Sequence, residues 1–227
     1  MFMMLLQMLR LINLKTEKNM FDNYIKYLNM LNGKLEKFFQ KQKPYIFCKK
    51  GCAKCCKNAQ FPYTQIEFEY LILGYQQLSD DTKNQICSNV IQVLSEKLAS
   101  GENKFIYKCP FLIENVCSLY DYRGIMCRTF GLLNAVGVNG SDVPFCALEG
   151  LNYSNVYDTE RKMISTEMFK KLNIKEEPVA FNIQYDFLTH HEFGDGYGFR
   201  FGEVKPLINW IEESDIFSHI CAHVKRK

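Results

Sequence analysis

The sequence predicts an α-rich α+β fold: a single domain of helices around metal-binding cysteine loops and a small β-hairpin. Apolar residues recur at helical spacing in several stretches, the pattern shifts to short apolar runs between 105 and 119, and four of the ten cysteines fall within nine residues at 48–56. With 227 residues the chain is long enough for one good-sized core and short for two independent domains. A composition of 47% hydrophobic and 23% charged residues is that of a folding globular chain.

The first segment, 1–43, reads as an N-terminal helical arm. Met1 to Leu14 is apolar and Met-rich but lacks a charged start and a small-residue cleavage site, so it does not read as a signal peptide. It is also too short to span a bilayer, and is either an amphipathic helical arm able to bind a protein partner or an over-extended start before Met20. Thr16 to Phe39 continues the helical pattern through Met20, Phe21, Tyr24, Tyr27, Leu28, Leu31 and Leu35, and Pro44 should end it.

The second segment, 44–150, is the cysteine-cluster metal-binding region. Cys48 to Asn58 reads as a loop. Thr64 with Glu67 three residues on is a capping-box pattern, which starts a helix running to near Leu78. Ser79 caps the next, whose stripe is Ile86, Val90, Ile91, Leu94 and Leu98, ending near Gly101. Glu114-Asn115 centres a hairpin carrying Cys109 and Cys117.

The third segment, 151–227, reads as an α+β region packed on the same domain. Asp158 to Leu172 is predicted as a helix, Ala180 to Phe187 as a strand and Gly194 to Gly198 as a tight turn. Pro206 to Glu213 is predicted as a last helix with proline in its first turn.

Cys48, Cys52, Cys55 and Cys56 form the first cluster and Cys109, Cys117, Cys127 and Cys146 a more open second one. Soft thiolates at such spacings suit zinc or an iron–sulfur cluster, and Gly51 lets the first loop bend so that several sulfurs point inward. Adjacent side chains diverge in helices and strands, so Cys55 and Cys56 are expected to face different centres. Eight cysteines then make two four-ligand sites, or one four-iron cluster plus one zinc. Arg123 and Arg128 flank Cys127 as supporting residues behind the ligands, and Lys49, Lys50, Lys54 and Lys57 surround the first cluster. Cys87, on a helical stripe, and Cys221, alone near the end, read as packing residues.

The formal charge of +3 counts every cysteine as neutral. Two four-thiolate zinc sites, each carrying −2, would bring the total to about −1, which argues against a nucleic-acid partner. No stretch reads as transmembrane or secretory. The expected location is therefore the reducing cytoplasm, where cysteine clusters mean metal or redox chemistry more often than disulfides.

Cys48-x3-Cys52-x2-Cys55-Cys56, followed by Cys109-Pro110-Phe111-Leu112, Cys117-Ser118-Leu119-Tyr120-Asp121-Tyr122-Arg123 and Cys127-Arg128-Thr129-Phe130, resembles a zinc- or iron-chelating cysteine-cluster family (CxxCxxCC, YkgJ-like) over about Cys48 to Cys146. The resemblance implies a cytoplasmic, mostly bacterial, metal-bound protein. The family usually has Arg-Pro where this chain has Arg123-Gly124, a departure that loosens a turn and removes no ligand. The segment is also similar to the cysteine-rich part of flagellin lysine-N-methylase, an analogy that raises protein lysine methyl transfer.

The expected function is thus a metal-binding protein carrying a cysteine-ligated iron–sulfur cluster, zinc or both, in a chelating or redox-linked role. The alternatives are a structural-zinc interaction module and a methyltransferase-like enzyme. Cys48-x3-Cys52-x2-Cys55 also has the spacing of a radical S-adenosylmethionine cluster, but the helices and hairpin that follow are not the β/α barrel such enzymes need. His219 and His223 share a helical face, and His190-His191 precede the glycine-rich stretch. Neither pair is assigned a role, and no catalytic residue is identified.

Overall fold

The computed structural model describes residues 2–217 except 50, 59, 102–104, 137–139 and 176, and only the backbone of 2–18 and 166. The first helix, α1, spans Phe2–Lys41, and a 3-10 turn containing Pro44 follows at Lys43–Tyr45. Tyr24, Tyr27, Leu28, Leu31 and Leu35 recur at three- and four-residue intervals, and this face of α1 is buried against Ile66, Ile125, Leu188, Phe199 and Phe201. Among the described residues no helix is long and apolar enough to cross a membrane.

The expected Cys48–Asn58 loop holds one helical turn, α2 (Lys54–Lys57), entered through Ala53 at a left-handed φ of 51°. Strand β1 (Pro62–Thr64) then feeds α3 (Gln65–Gln76). The capping box is present: the Glu67 carboxylate accepts from the Thr64 backbone N–H at 2.8 Å and from its hydroxyl at 2.7 Å. The next amides of α3 are satisfied from outside the helix, Gln65 N–H by Glu203 O at 2.8 Å and Ile66 N–H by Phe201 O at 3.2 Å. Helix α4 (Asp80–Ser100) is capped by Ser79 and stopped by Gly101 at a φ of 60°, as its sequence predicts.

The hairpin pairs β2 (Leu112–Ile113) with β3 (Val116–Cys117). Glu114 and Asn115 both have positive φ (49° and 63°), the requirement of a two-residue turn matched to strand twist. A 3-10 turn at Tyr120–Tyr122 leads into α5 (Ile125–Thr129). Then come β4 (Asn134–Val136), β5 (Gly140–Asp142), a 3-10 turn at Phe145–Glu149, β6 (Tyr157–Asp158), β7 (Met163–Ile164), α6 (Thr166–Lys171), α7 (Tyr185–Leu188), α8 (His191–Tyr197), β8 (Val204–Pro206) and α9 (Leu207–Glu213). The strands form two-stranded antiparallel sheets, and β1 pairs with the distant β8, Tyr63 opposite Lys205. The result is an α-rich α+β fold with no β/α barrel among the described residues.

Four expectations in the third segment are corrected. Asp158–Leu172 is helical only from Thr166. Before that it is a hairpin whose turn is made by the Asp158 carboxylate accepting from Glu160 N–H and Arg161 N–H, with Lys162 at a φ of 53°. Ala180–Phe187 makes a single bridge, Phe181 to Asn134, before α7 begins. The glycine-rich stretch is mostly helix: α8 runs through Gly194 and Gly196 and stops at Gly198, whose φ is 78°. Gly194 is needed there because a Cβ would lie 2.7 Å from Phe199 O. The last helix begins one residue later than expected, with Pro206 as its N-cap.

Among the described residues, three apolar clusters form the core. One joins α3, α4, α9 and the hairpin around Phe68, Leu71, Ile86, Val90, Phe111 and Ile211, and Cys109, Cys117 and Cys127 pack against it. The second lies along α1, and the third is Tyr45, Leu133, Tyr153, Val156 and Phe169.

Candidate metal centre

The cysteines arrive from four stretches of chain. Cys48 follows the turn after α1. Its N–H and that of Phe47 both donate to Asn152 Oδ1, at 3.0 and 2.8 Å, while Asn152 Nδ2 donates to Gly131 O at 2.8 Å. Asn152 is wholly buried, so it clips the Cys48 strand to the chain just after α5. Cys52 closes a turn onto Lys49 O at 3.0 Å through Gly51, whose φ is 85°. Cys55 and Cys56 lie on α2, and Cys56 O accepts from Cys109 N–H at 2.7 Å, joining the first cluster to the hairpin segment. Cys117 is in β3, Cys127 on α5 and Cys146 on the 3-10 turn at Phe145–Glu149. A surface ion pair, Lys54 to Glu149 at 2.8 Å, links α2 to that turn.

All eight line a single cavity of about 830 Å³, together with Lys49, Lys54, Arg123 and Arg128 and a larger apolar wall. Among the described residues no aspartate, glutamate or histidine lines it. An all-sulfur donor set suits zinc or iron–sulfur and is poor for magnesium or calcium. Among the described residues no three Cys, His, Asp or Glu side chains meet at one ion-binding point, so the sulfurs stand apart around the wall. One pair does approach: the Cys55 and Cys56 Sγ atoms are 3.9 Å apart, against the expectation that they diverge. Rotation about χ1 accounts for this, and two thiolates on one tetrahedral zinc, with bonds of about 2.3 Å, are about 3.8 Å apart.

The electrostatics separate the cysteines. Burial, then the neighbouring thiols, raises Cys109. Burial pushes Cys127 up to about 12, opposed by a hydrogen bond from the Tyr63 hydroxyl. Cys117 is raised by burial and drawn back by the Leu119 N–H and the Arg123 charge. Cys48 is held down to about 6 by hydrogen bonding from Cys146, against burial, with help from Asn152, and Cys146 is correspondingly raised. In the adjacent pair, hydrogen bonding lowers Cys55 and raises Cys56. Backbone N–H groups of Phe111, Leu119 and Asn152 also reach the sulfurs of Cys109, Cys117 and Cys146.

The arginines brace the backbone of the wall. Arg128, 7% exposed, donates to Arg123 O at 2.9 Å, Asp121 O at 2.6 Å and Asn32 Oδ1 of α1 at 3.2 Å. Arg123 donates to Tyr120 O at 2.5 Å and stacks over the Tyr120 ring. Cys87 is away from the cavity on α4, 3.4 Å from the Tyr75 hydroxyl. His190 and His191 are exposed beside Glu192 and Asp195. Cys221, His219 and His223 lie outside the described residues, as do Lys50 and the basic tail.

Three supporting residues were not visible from the sequence. Asn152 carries no local motif, and Tyr63 reads only as the residue before the Thr64 helix cap. Glu67 reads as a helix cap, yet also accepts from Ile125 N–H at 2.6 Å and from the Tyr185 hydroxyl. Glu67 thereby fixes the start of α5, two residues before Cys127.

No curated protein and no solved structure matches the chain. Residues 47–147, which bear all eight of these cysteines, match the family model CxxCxxCC, described as "Putative zinc- or iron-chelating domain". The segment that supplies the thiols of this cavity is therefore similar to the CxxCxxCC family over those residues.

Proposed function

We propose that this is a cytoplasmic metal-binding protein in which Cys48, Cys52, Cys55, Cys56, Cys109, Cys117, Cys127 and Cys146 hold an iron–sulfur cluster, zinc or both, in a chelating or redox-linked role. The observation that carries the reading is the gathering of eight cysteines from four chain segments onto one cavity wall, with no carboxylate or imidazole among its described residues. The donor chemistry fits: thiolates are soft ligands, and Lys49, Lys54, Arg123 and Arg128 at the same wall offset their charge. A volume of about 830 Å³ is more than one ion between four sulfurs fills, which favours a cluster or more than one ion. Bound metal would supply an electron acceptor or a rigid cross-link, and the cysteine loops would draw inward to reach it. That closure couples binding to folding, worth roughly 10 kcal/mol or more for structural zinc.

Metal analysis with an absorption spectrum, on protein purified without oxygen, tests the reading. Iron with acid-labile sulfide and a broad visible band supports the iron–sulfur form. Stoichiometric zinc in a colourless protein supports a structural scaffold. A folded protein that retains and takes up neither metal refutes the proposal.

A further inference from the structure

The sulfurs of Cys55, Cys109, Cys117 and Cys146 at the cavity wall are reached by backbone N–H groups; Cys127 is approached by a hydroxyl. Tyr63, 2% exposed, is fixed in β1, where its carbonyl accepts from Trp210 Nε1 at 2.8 Å. Its ring lies beneath the entry to α5: a Cβ added at Gly124 would be 2.7 Å from Tyr63 Cζ, so a larger residue there would force the ring aside. The Gly124 N–H donates to the Tyr63 hydroxyl oxygen at 3.1 Å. That nitrogen can only donate, so the phenol accepts from it and keeps its own proton for another partner. Cys127 Sγ is that partner, 3.4 Å away.

We propose that Tyr63 tunes the metal centre by donating a hydrogen bond to the Cys127 thiolate, with the Gly124 amide fixing the direction of the donor. The proposal rests on the reading of Cys127 as a ligand. A metal-bound thiolate can only accept, so the O–H proton points at sulfur whenever the site is loaded. The bond draws charge from sulfur and holds Cys127 in its binding orientation. Tyr63 is a positioning residue, and loss of such a partner behind a ligand typically weakens metal binding about 10–100-fold.

The test is anaerobic titration of wild type and Tyr63→Phe with Co(II), followed by the thiolate-to-metal absorption and by competition with a chelator. The expected result is unchanged stoichiometry, about 10–100-fold weaker binding and a shift of the charge-transfer band to longer wavelength. Weaker binding with an unmoved band, or no change at all, overturns the proposal. A wild-type protein that binds neither Co(II) nor zinc overturns the metal-centre reading instead, so the two failures are distinguishable. If Tyr63→Phe does not fold, nuclear magnetic resonance of the wild type loaded with Cd(II) decides. A slowly exchanging Tyr63 hydroxyl proton coupled to the metal supports the proposal, and a rapidly exchanging, uncoupled one overturns it.

Discussion

Replacing Glu67 with glutamine should destabilise the fold even though size and shape are preserved. The carboxylate is wholly buried and meets four donors: the Thr64 amide, the Thr64 hydroxyl, the Tyr185 hydroxyl and, at its other oxygen, the Ile125 amide. An ionised carboxylate is acceptor-only and matches that set, whereas an amide turns one of its two ends into a donor. In the cheaper orientation the new NH₂ faces the Ile125 N–H, which forfeits one charge-assisted bond of about 1.5–3 kcal/mol and strands a buried donor. The other orientation disrupts three contacts. Burial pushes the Glu67 carboxyl up, against the pull of its donors, so the neutral amide recovers part of a desolvation cost. The net loss should be about 2–4 kcal/mol. For a chain of this size, at about 2–4 °C per kcal/mol, that lowers the melting temperature by roughly 5–15 °C. Thermal unfolding of metal-free Glu67→Gln beside the wild type, followed by circular dichroism at neutral pH, measures it. A melting temperature within about 2 °C of wild type would refute the hydrogen-bond accounting.

Cys55→Ser should lower both metal content and thermal stability; unchanged stoichiometry and an unchanged melting curve would remove Cys55 from the ligand set. Metal affinity should rise with pH through the neutral range. Cys109, Cys117 and Cys127 have raised pKa values and must lose protons to bind, while Cys48, at about 6, is already largely ionised. Calorimetric titration in buffers of different ionisation enthalpy counts the protons released, and a pH-independent affinity with none released would contradict this. Gly131→Ala should cost about 1–3 kcal/mol, because Gly131 has a φ of 103° and its new Cβ would lie 2.8 Å from Asn152 Nδ2. With that clip disturbed, Cys48 loses a donor that holds its thiol pKa down and should react more slowly with a thiol reagent at mildly acid to neutral pH; an unchanged labelling rate and denaturation midpoint would argue against the clip.

Features written within a few residues were legible in the sequence. The Thr64–Glu67 box, the Ser79 cap, the Gly101 stop and the Glu114-Asn115 turn are settled by local hydrogen bonding and φ preference, and the structure has each. Local pattern misled where tertiary contacts decide. Gly194 and Gly196 weaken a helix in isolation, but α8 lies against α1, with Tyr27 contacting Phe193 and Tyr197 and Asn23 bonding Gly198 O at 3.2 Å. Spacing singled out the eight cysteines that line the cavity, because soft donors clustered in sequence have few other uses. What supports them was hidden by distance along the chain. Asn152 is 104 residues from Cys48, Tyr185 is 118 from Glu67 and Asn32 is 96 from Arg128. The divergence rule for Cys55 and Cys56 describes Cβ directions and leaves the sulfurs free to turn toward each other.

The Asn152 clip also bears on how far the cysteine segment can travel as a unit. Residues 47–147 carry the thiols, but the side chain that secures Cys48 lies five positions past that boundary, and the Tyr153 amide then donates to Tyr45 O at 2.8 Å on the other side. Asn32 and Tyr185, which steady Arg128 and Glu67, lie farther out still. The segment is thus a lining cut to one body and not a cassette that could be grafted elsewhere. A portable version would have to reach from α1 to α7, which is most of the protein.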